Sequence, residues 1–347
     1  MSARRVTASW MRAGRRALAG FPVAPVPCEM WARRRRALAE AVTLVRVFYL
    51  CLFLILLDRC DSWEHWWHLQ ALSLLWPVAW FAWTGIRAGV VIVVTASLAG
   101  ALVAGVMPHV RAYRVAAAAG LWVFAAFFNS FGVVNHALHV WVWAAVLFVL
   151  LPDGGVDHLR RCTGRAQRYL RVFWSAQAAV LLFYSLSGSF KLAGAALQIS
   201  RGQVSVFSPT ALARHAAVRL TEIGRSGPGA AVGGFVIDHP YVGWPLFLTA
   251  LYVEVFSVVV AFRPALHRAW GVCLISIHLG ICFTLSILFS WHMLLVGLLL
   301  ICSPAAPLNA TWWQVAGSLP VWGDVMAWAG RIRGRRAAAR LWPGLAA

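Results

Sequence analysis

The sequence predicts an all-α integral membrane protein, a bundle of about eight helices that cross the bilayer. Of its 347 residues, 61% are hydrophobic and 12% are charged, whereas about 25% are charged in an average soluble domain. One water-soluble domain could not bury this much apolar surface, and a disordered chain would be far more polar. The 20 tryptophans agree, because this ring favours the membrane–water interface.

Nine apolar stretches occur within residues 38–306, and most have the length that crosses a bilayer, about 17 to 25 residues. In chain order they are 38–57, 66–84, 86–107, 112–131, 136–151, 169–196, 246–262, 270–289 and 290–303. We interpret residues 38–306 as one transmembrane domain.

Three arginine-rich segments, the arm 1–37, the loop 152–168 and the tail 307–347, indicate how the helices are oriented. The positive-inside rule places all three in the cytoplasm, but nine crossings would separate the arm from the other two. Removing one crossing before residue 152 resolves both conflicts. We therefore expect about eight spans, with one stretch between 66 and 107 re-entrant, flat or fused to its neighbour. The predicted location is the bacterial inner membrane, with a cytoplasmic N-terminus.

The long segment 197–245 lies outside the cell on this count, and it carries several glycines and prolines. A long connection between spans is often functional, but a flexible connector fits the composition equally well. Within this segment, residues 211–223 predict an amphipathic helix with Arg214, His215 and Arg219 on its polar side.

The net charge of +20 does not indicate nucleic-acid binding, because no recognition motif accompanies it. The arginines outside the apolar stretches fit anionic headgroups, so the lipid bilayer is the expected partner. The seven cysteines form no C-x-x-C pair. We interpret them as small apolar helix residues rather than a disulfide or zinc framework, and we predict no metal centre.

Lys191 is the only lysine in a chain with 31 Lys and Arg residues, and ionisable residues are costly to bury in a bilayer. A desolvated amine can lose its proton, while a guanidinium effectively cannot. A position that needs a neutral nitrogen base would therefore accept lysine and refuse arginine. The alternative is a lysine near a helix end that extends its amine to the interface.

A pair of histidines opens the fifth apolar stretch. His136 and His139 share one helical face by their spacing. They could act as a base and its orienting partner, bind a metal with further ligands, or contact interfacial water. A second polar cluster, Asp61, Glu64, His65 and His68, fits helix capping and membrane anchoring better than metal binding.

Glu254 lies in the middle of stretch 246–262, where a carboxylate needs a partner or a proton. Arg46, Lys191 and His278 are candidate partners, and a structural ion pair is favoured over catalysis. His278, and likewise His292, is by itself more typical of a hydrogen-bonded core residue than of a ligand.

Three motifs, taken in order, resemble the transmembrane domain shared with the vitamin K-dependent gamma-carboxylase, the HTTM domain. The first is Asn135-His136 at the start of a helix. The second is Y-S-L-S-G-S-F-K-L-A at 184–193, which is similar to the family's Y-x-x-x-G-x-x-K-L. The third is His278, followed by Met293-Leu294 and by Cys302-Ser303-Pro304.

This resemblance implies that Lys191 is the base that starts oxygenation of a reduced quinone, with His136 as its stabilising partner. It places His278 in the same cavity, and we expect Glu254 and His139 to contact the quinone or hydroquinone cofactor there as well. One departure concerns the peptide substrate. The family's carboxylase continues into a large soluble region, whereas only about forty residues follow the Cys-Ser-Pro motif here.

Two functions are therefore open. The first is a membrane enzyme that acts on a quinone-type apolar ligand with a lysine base, coupled to modification of a protein or peptide partner. The second is a non-catalytic integral membrane subunit that anchors or matures a partner protein and keeps the polar residues as helix contacts. A transporter is less favoured, because no inverted repeat is visible.

Overall fold

A computed structural model describes residues 33–60, 73–131, 136–203, 207–222, 229–326 and 328–329. Across these residues the secondary structure is helical and contains no strand, which confirms the predicted all-α class. Residues 1–32 of the arm, all arginines of the tail, Asn135 and the cluster from Asp61 to His68 lie outside the described residues.

The α-helices, numbered along the chain, alternate between long apolar rods and short connecting helices. They are α1 (Arg34–Cys60), α2 (Phe81–Thr84), α3 (Ile86–Val106), α4 (Arg111–Phe128), α5 (His139–Phe148), α6 (Val156–Arg161), α7 (Thr163–Ser200), α8 (Ala211–Glu222), α9 (Ala230–Asp238), α10 (Pro240–Val260), α11 (His267–Leu285), α12 (Ser290–Val296) and α13 (Trp312–Gly317). Helix α12 continues into a π-helical turn at Gly297–Ile301.

Six helices within the described residues are long and apolar enough to cross a membrane: α1, α3, α4, α7, α10 and α11. Two shorter apolar helices accompany them, α5 and the continuous segment Ser290–Ile301. The chain therefore has the architecture of a multi-pass membrane protein.

The described part of stretch 66–84 contains a 3₁₀ turn at Trp76–Val78 and the four-residue α2 rather than one long helix, which is compatible with the expectation that one stretch between 66 and 107 does not cross. Another segment differs from the sequence-based expectation. The segment 197–245 is largely helical rather than a loop. Helix α7 continues to Ser200, α10 already begins at Pro240, and α8 and α9 lie between them. The bounds of α8 confirm the predicted amphipathic helix.

Small residues let the long helices approach closely. A Cβ added to Gly100 of α3 would lie 3.1 Å from the backbone nitrogen of Ala117 in α4. A Cβ on Gly188 of α7 would lie 2.7 Å from the backbone nitrogen of Val255 in α10. Such contacts favour helix association in membranes, where lipid is as apolar as the side chains. The second contact positions the candidate site, because α7 and α10 carry its charged pair.

Arginines of the arm and of the loop 152–168 meet at one end of the bundle, here called the basic end. Arg35 lines the same surface cleft as Arg160. Arg33 reaches the carbonyl oxygen of Ala306, just before the tail, at 3.5 Å. The expected grouping of arm and loop is thus present in the described residues, whereas the arginines of the tail lie outside them.

Arg114 of α4 holds the basic end together from inside. Its side chain is fully buried, and its guanidinium donates to the carbonyl oxygens of Pro108 and Leu151, both at 2.5 Å, and to Asp153 at 3.2 Å. The two carbonyls belong to the loops before α4 and after α5. One planar fork therefore fixes both loops, which a point-like ammonium could not do in the same geometry.

We expect Arg114→Lys to lower the melting temperature in detergent by several degrees. The lysine has fewer hydrogen-bond donors than the guanidinium, so it leaves a buried carbonyl oxygen without a partner. The matched control is Arg171→Lys, at an exposed position, which should change it little. Thermal unfolding followed by circular dichroism makes the comparison. A melting temperature of Arg114→Lys as high as that of the Arg171→Lys control would contradict the proposed role of Arg114.

Topology can be tested across α7. Its 38 residues span about 57 Å, more than the roughly 40–45 Å of a bilayer with its headgroups. In a cysteine-free background, Gly155→Cys and Gln203→Cys should therefore react with a membrane-impermeant thiol reagent from opposite sides. Labelling of both from the same side of intact spheroplasts would exclude α7 as a spanning helix.

Candidate functional site

The most prominent polar contact inside the bundle joins the lysine of α7 to the carboxylate of α10. The Nζ atom of Lys191 lies 2.6 Å from both carboxylate oxygens of Glu254. Glu254 is buried, while the side chain of Lys191 keeps 41% of its surface exposed. The sequence-based prediction that Glu254 has a polar partner is confirmed, and that partner is Lys191. Arg46, the other basic candidate, is exposed on α1.

The backbone of the two helices holds this pair in register. Ser185 donates its hydroxyl to the carbonyl oxygen of Val255 at 2.9 Å and accepts from the amide of Val258 at 2.7 Å. Gly188, one turn further along α7, faces Glu254 and Val255 without a side chain. The next turn brings Lys191 over the Glu254 carboxylate. The sequence Ser185-x-x-Gly188-x-x-Lys191 therefore builds one face that fits α10.

Lys191 lies close to one boundary of the membrane-spanning part of α7. Twenty residues separate it from Arg171 near the basic end, which corresponds to about 30 Å of helix, close to the thickness of the hydrocarbon layer. The ion pair is thus in the half of the bundle opposite the basic end.

A second polar contact lies deeper in the bundle. The hydroxyl of Tyr184 and Nε2 of His278 are 2.7 Å apart, and both side chains are buried. The ring of His278 packs against Phe289 and His292, with centroids 5.2 and 5.7 Å away. The buried Nδ1 atom of His278 has no hydrogen-bond partner among the described residues. This nitrogen is therefore a buried polar atom that the described residues leave unsatisfied.

The predicted histidine pair forms a third contact. The Nδ1 atoms of His136 and His139 are 3.2 Å apart, and Nε2 of His139 lies 3.2 Å from the side-chain nitrogen of Asn129. His136 is exposed and His139 is half-buried. Helix α5 is tied to α12 beside this pair, because the indole of Trp141 donates to the carbonyl oxygen of Trp291 at 3.2 Å.

We refer to these three contacts together as the polar cluster. The ring of His292, 5.7 Å from that of His278, extends the second contact. The five predicted site residues fall into these three contacts: Lys191 with Glu254, His136 with His139, and His278 with Tyr184.

Two members of the cluster, Tyr184 and His292, were not among the predicted site residues. Tyr184, Gly188 and Lys191 follow the spacing i, i+4, i+7 of one helical face, so the sequence did contain a signal for Tyr184. His292 carries no such signal, because its contact with His278 is made across the turn between α11 and α12.

The chemistry available to the cluster is proton transfer. It contains an amine, a carboxylate, a phenol and several imidazoles, and these groups take up or release protons near neutral pH or when desolvated. Within the part of the chain that the structure describes, no three His, Cys, Asp or Glu side chains converge closely enough to hold a metal ion.

The chain matches no protein-family model, no curated protein sequence and no solved structure.

The Lys191–Glu254 pair can be tested by a double-mutant cycle. Lys191→Met leaves the buried Glu254 carboxylate uncompensated, so we expect it to destabilise more than Lys191→Met combined with Glu254→Gln. A coupling free energy of about 1–2 kcal/mol is expected, below that of a fully buried pair because Lys191 is partly exposed. Unfolding in mixed detergent micelles measures it.

The control cycle uses the exposed pair Arg36–Glu40, whose atoms are 2.7 Å apart on α1. Exposed pairs of this kind couple by about 0–1 kcal/mol. A coupling free energy between Lys191 and Glu254 no larger than that of this control pair would show that the Lys191–Glu254 contact does not stabilise the bundle.

Proposed function

We propose that this protein is a membrane enzyme that uses Lys191 as a base toward a quinone-type apolar ligand, similar in type to the HTTM domain of the gamma-carboxylase. The observation that carries the proposal is the Lys191–Glu254 pair. It places the only lysine of the chain beside a proton acceptor, at the edge of a cluster of histidines, with part of the amine side chain accessible.

Access for an apolar ligand is available from the lipid side. Phe190, next to Lys191 in the chain, exposes 75% of its surface, and Leu186 exposes 48%. These side chains form an apolar surface beside the partly exposed Lys191. A flat ring with an isoprenoid tail fits such a place, because the tail stays in lipid while the ring reaches the polar cluster.

The ion pair gives a route to a neutral amine. In water-accessible surroundings the ammonium and the carboxylate are both charged. When an apolar ligand covers Lys191, the cost of keeping two charges in a low-dielectric environment rises. The ammonium N–H bond then breaks as its proton moves to a Glu254 oxygen, which leaves an amine and a carboxylic acid.

A hydroquinone bound beside Lys191 would supply an O–H proton and the reducing electrons for a later oxygenation. Lys191, as the neutral amine, would take up that proton through a new N–H bond and return to the ammonium form. An arginine in place of Lys191 would preserve the ion pair but not this step, because a guanidinium keeps its proton.

The histidines and Tyr184 serve this step as a proton path. His278, which receives or donates a hydrogen bond at Tyr184, connects the ion pair to His292. His292 in turn connects to His139 and the exposed His136. A proton left on Glu254 can leave the bundle along this route. We further propose that the basic end faces the cytoplasm of a bacterial cell and that the opposite end receives the partner protein or peptide.

The base role is tested with menadiol, a reduced naphthoquinone, added anaerobically to the purified protein. Wild-type protein should convert bound menadiol to its anion, visible in the ultraviolet spectrum, at a pH where free menadiol is neutral. We expect Lys191→Arg to bind menadiol within about threefold of the wild-type affinity, by quenching of tryptophan fluorescence. It should form at least about tenfold less anion, because it offers no neutral amine.

Arg201→Lys, on the same helix end but outside the cluster, is the matched charge-preserving control and should behave as the wild type. Full anion formation by Lys191→Arg would contradict the base role. Absence of menadiol binding to wild-type protein, together with recovery of a stoichiometric protein partner, would favour the non-catalytic subunit instead.

A further inference from the structure

A separate cavity lies at the basic end, on the far side of the bundle from the polar cluster. Its volume is about 490 Å³, within the roughly 300–1,000 Å³ of small-molecule sites. Its walls come from the start of α4, the loop after α5 and the first turns of α7. Arg111, Arg165 and Arg168 line it, together with Leu150, Asp153 and Gly164.

The charge of this cavity is positive and largely uncompensated. Arg111, Arg165 and Arg168 are exposed, and none of them makes an ion pair among the described residues. Arg165 contacts the imidazole of His158. The carboxylate of Asp153 is already engaged, since it accepts from the buried Arg114. The cavity is therefore lined by three guanidinium groups and one carboxylate, that of Asp153, which is already paired with the buried Arg114.

Two helix N-termini add to this charge. Arg111 is the first residue of α4, and Gly164 and Arg165 belong to the first turn of α7. The dipole at a helix N-terminus favours anions, as do the arginines around these two. Gly164 contributes open space as well, because a Cβ added there would meet no atom within 4 Å.

The position of the cavity indicates that an anion bound there would belong to a lipid headgroup. Leu150, on its rim, exposes 46% of its surface, and it follows directly on the apolar helix α5. Arg168 lies at the start of the apolar part of α7. The cavity therefore sits where the hydrocarbon-facing surface ends and charged groups begin, which is the depth of lipid headgroups.

We infer that this cavity binds the phosphate of an anionic membrane lipid, with its acyl chains along the apolar surface beside Leu150. Arginines bind phosphate oxygens through paired N–H donors, and clusters of basic residues at the ends of membrane helices attract anionic headgroups. A zwitterionic lipid brings a cationic group to the same arginines and is disfavoured. This site is independent of the proposed enzyme activity at the opposite end.

Native mass spectrometry of the purified protein in detergent tests the inference. Phosphatidylglycerol should be retained in preference to phosphatidylcholine. In the double variant Arg111→Gln with Arg168→Gln, the apparent affinity for phosphatidylglycerol should fall roughly 30-fold, because each lost arginine removes about a fivefold contribution. Gly164→Leu, whose Cβ would meet no atom within 4 Å, should weaken binding as well, because its side chain takes up space at the cavity wall. Melting temperatures without lipid confirm that both variants are folded.

The matched control is Arg160→Gln with Arg161→Gln, which removes the same charge from the neighbouring cleft shared with Arg35 and Arg36. An equal loss of phosphatidylglycerol in this control would overturn the inference, because binding would then follow overall charge. Competition by millimolar inorganic phosphate, with no preference between the two lipids, would identify a free phosphate as the ligand and also overturn it. Unchanged binding in Gly164→Leu and in the arginine variant would exclude the cavity altogether.

Discussion

The structure depends on the requirement that every polar group inside a bilayer finds its partner within the protein. The contact between Lys191 and Glu254 meets this requirement for a buried carboxylate, and it fixes α7 against α10. The side-chain nitrogen of Gln177 shows the same rule for a neutral group, whereas the side-chain oxygen of this residue has no partner among the described residues. Gln177 is buried and donates to the carbonyl oxygen of Leu299 and to the hydroxyl of Ser303, which attaches α7 to the π-helical turn after α12. These contacts on α7 decide where the surrounding helices lie.

The long helices could be predicted from the sequence because each of them is apolar over nearly its whole length. The need of Glu254 for a partner could be predicted as well, since a carboxylate in the middle of an apolar stretch is costly. That this partner is Lys191 rather than Arg46 could not be predicted, because it depends on which helices are neighbours. The pairing of Tyr184 with His278 has the same origin, since 94 positions separate these residues in the chain.

The segment 197–245 shows why local composition misled the sequence analysis. Its glycines and prolines predicted a loop, yet two of these residues serve helices directly. Pro240 occupies the first position of α10, where proline loses no hydrogen bond. Gly233 of α9 lets that helix approach α11, since a Cβ there would lie 2.8 Å from the carbonyl oxygen of Thr284. A residue that interrupts one helix can thus begin another or bring two together.

The length of α7 has a physical consequence for the membrane itself. Its basic residues and Lys191 are fixed on one rigid rod, about 30 Å apart, so the rod fits an apolar layer of that thickness. In a thinner bilayer α7 must tilt, or the lipids around it must stretch, at a cost of a fraction of a kcal/mol for each ångström of mismatch. In a thicker bilayer Lys191 is drawn toward the hydrocarbon, where a charged group costs more. The depth of the contact between Lys191 and Glu254 therefore depends on hydrophobic thickness, which makes the lipid composition a physical variable of this site.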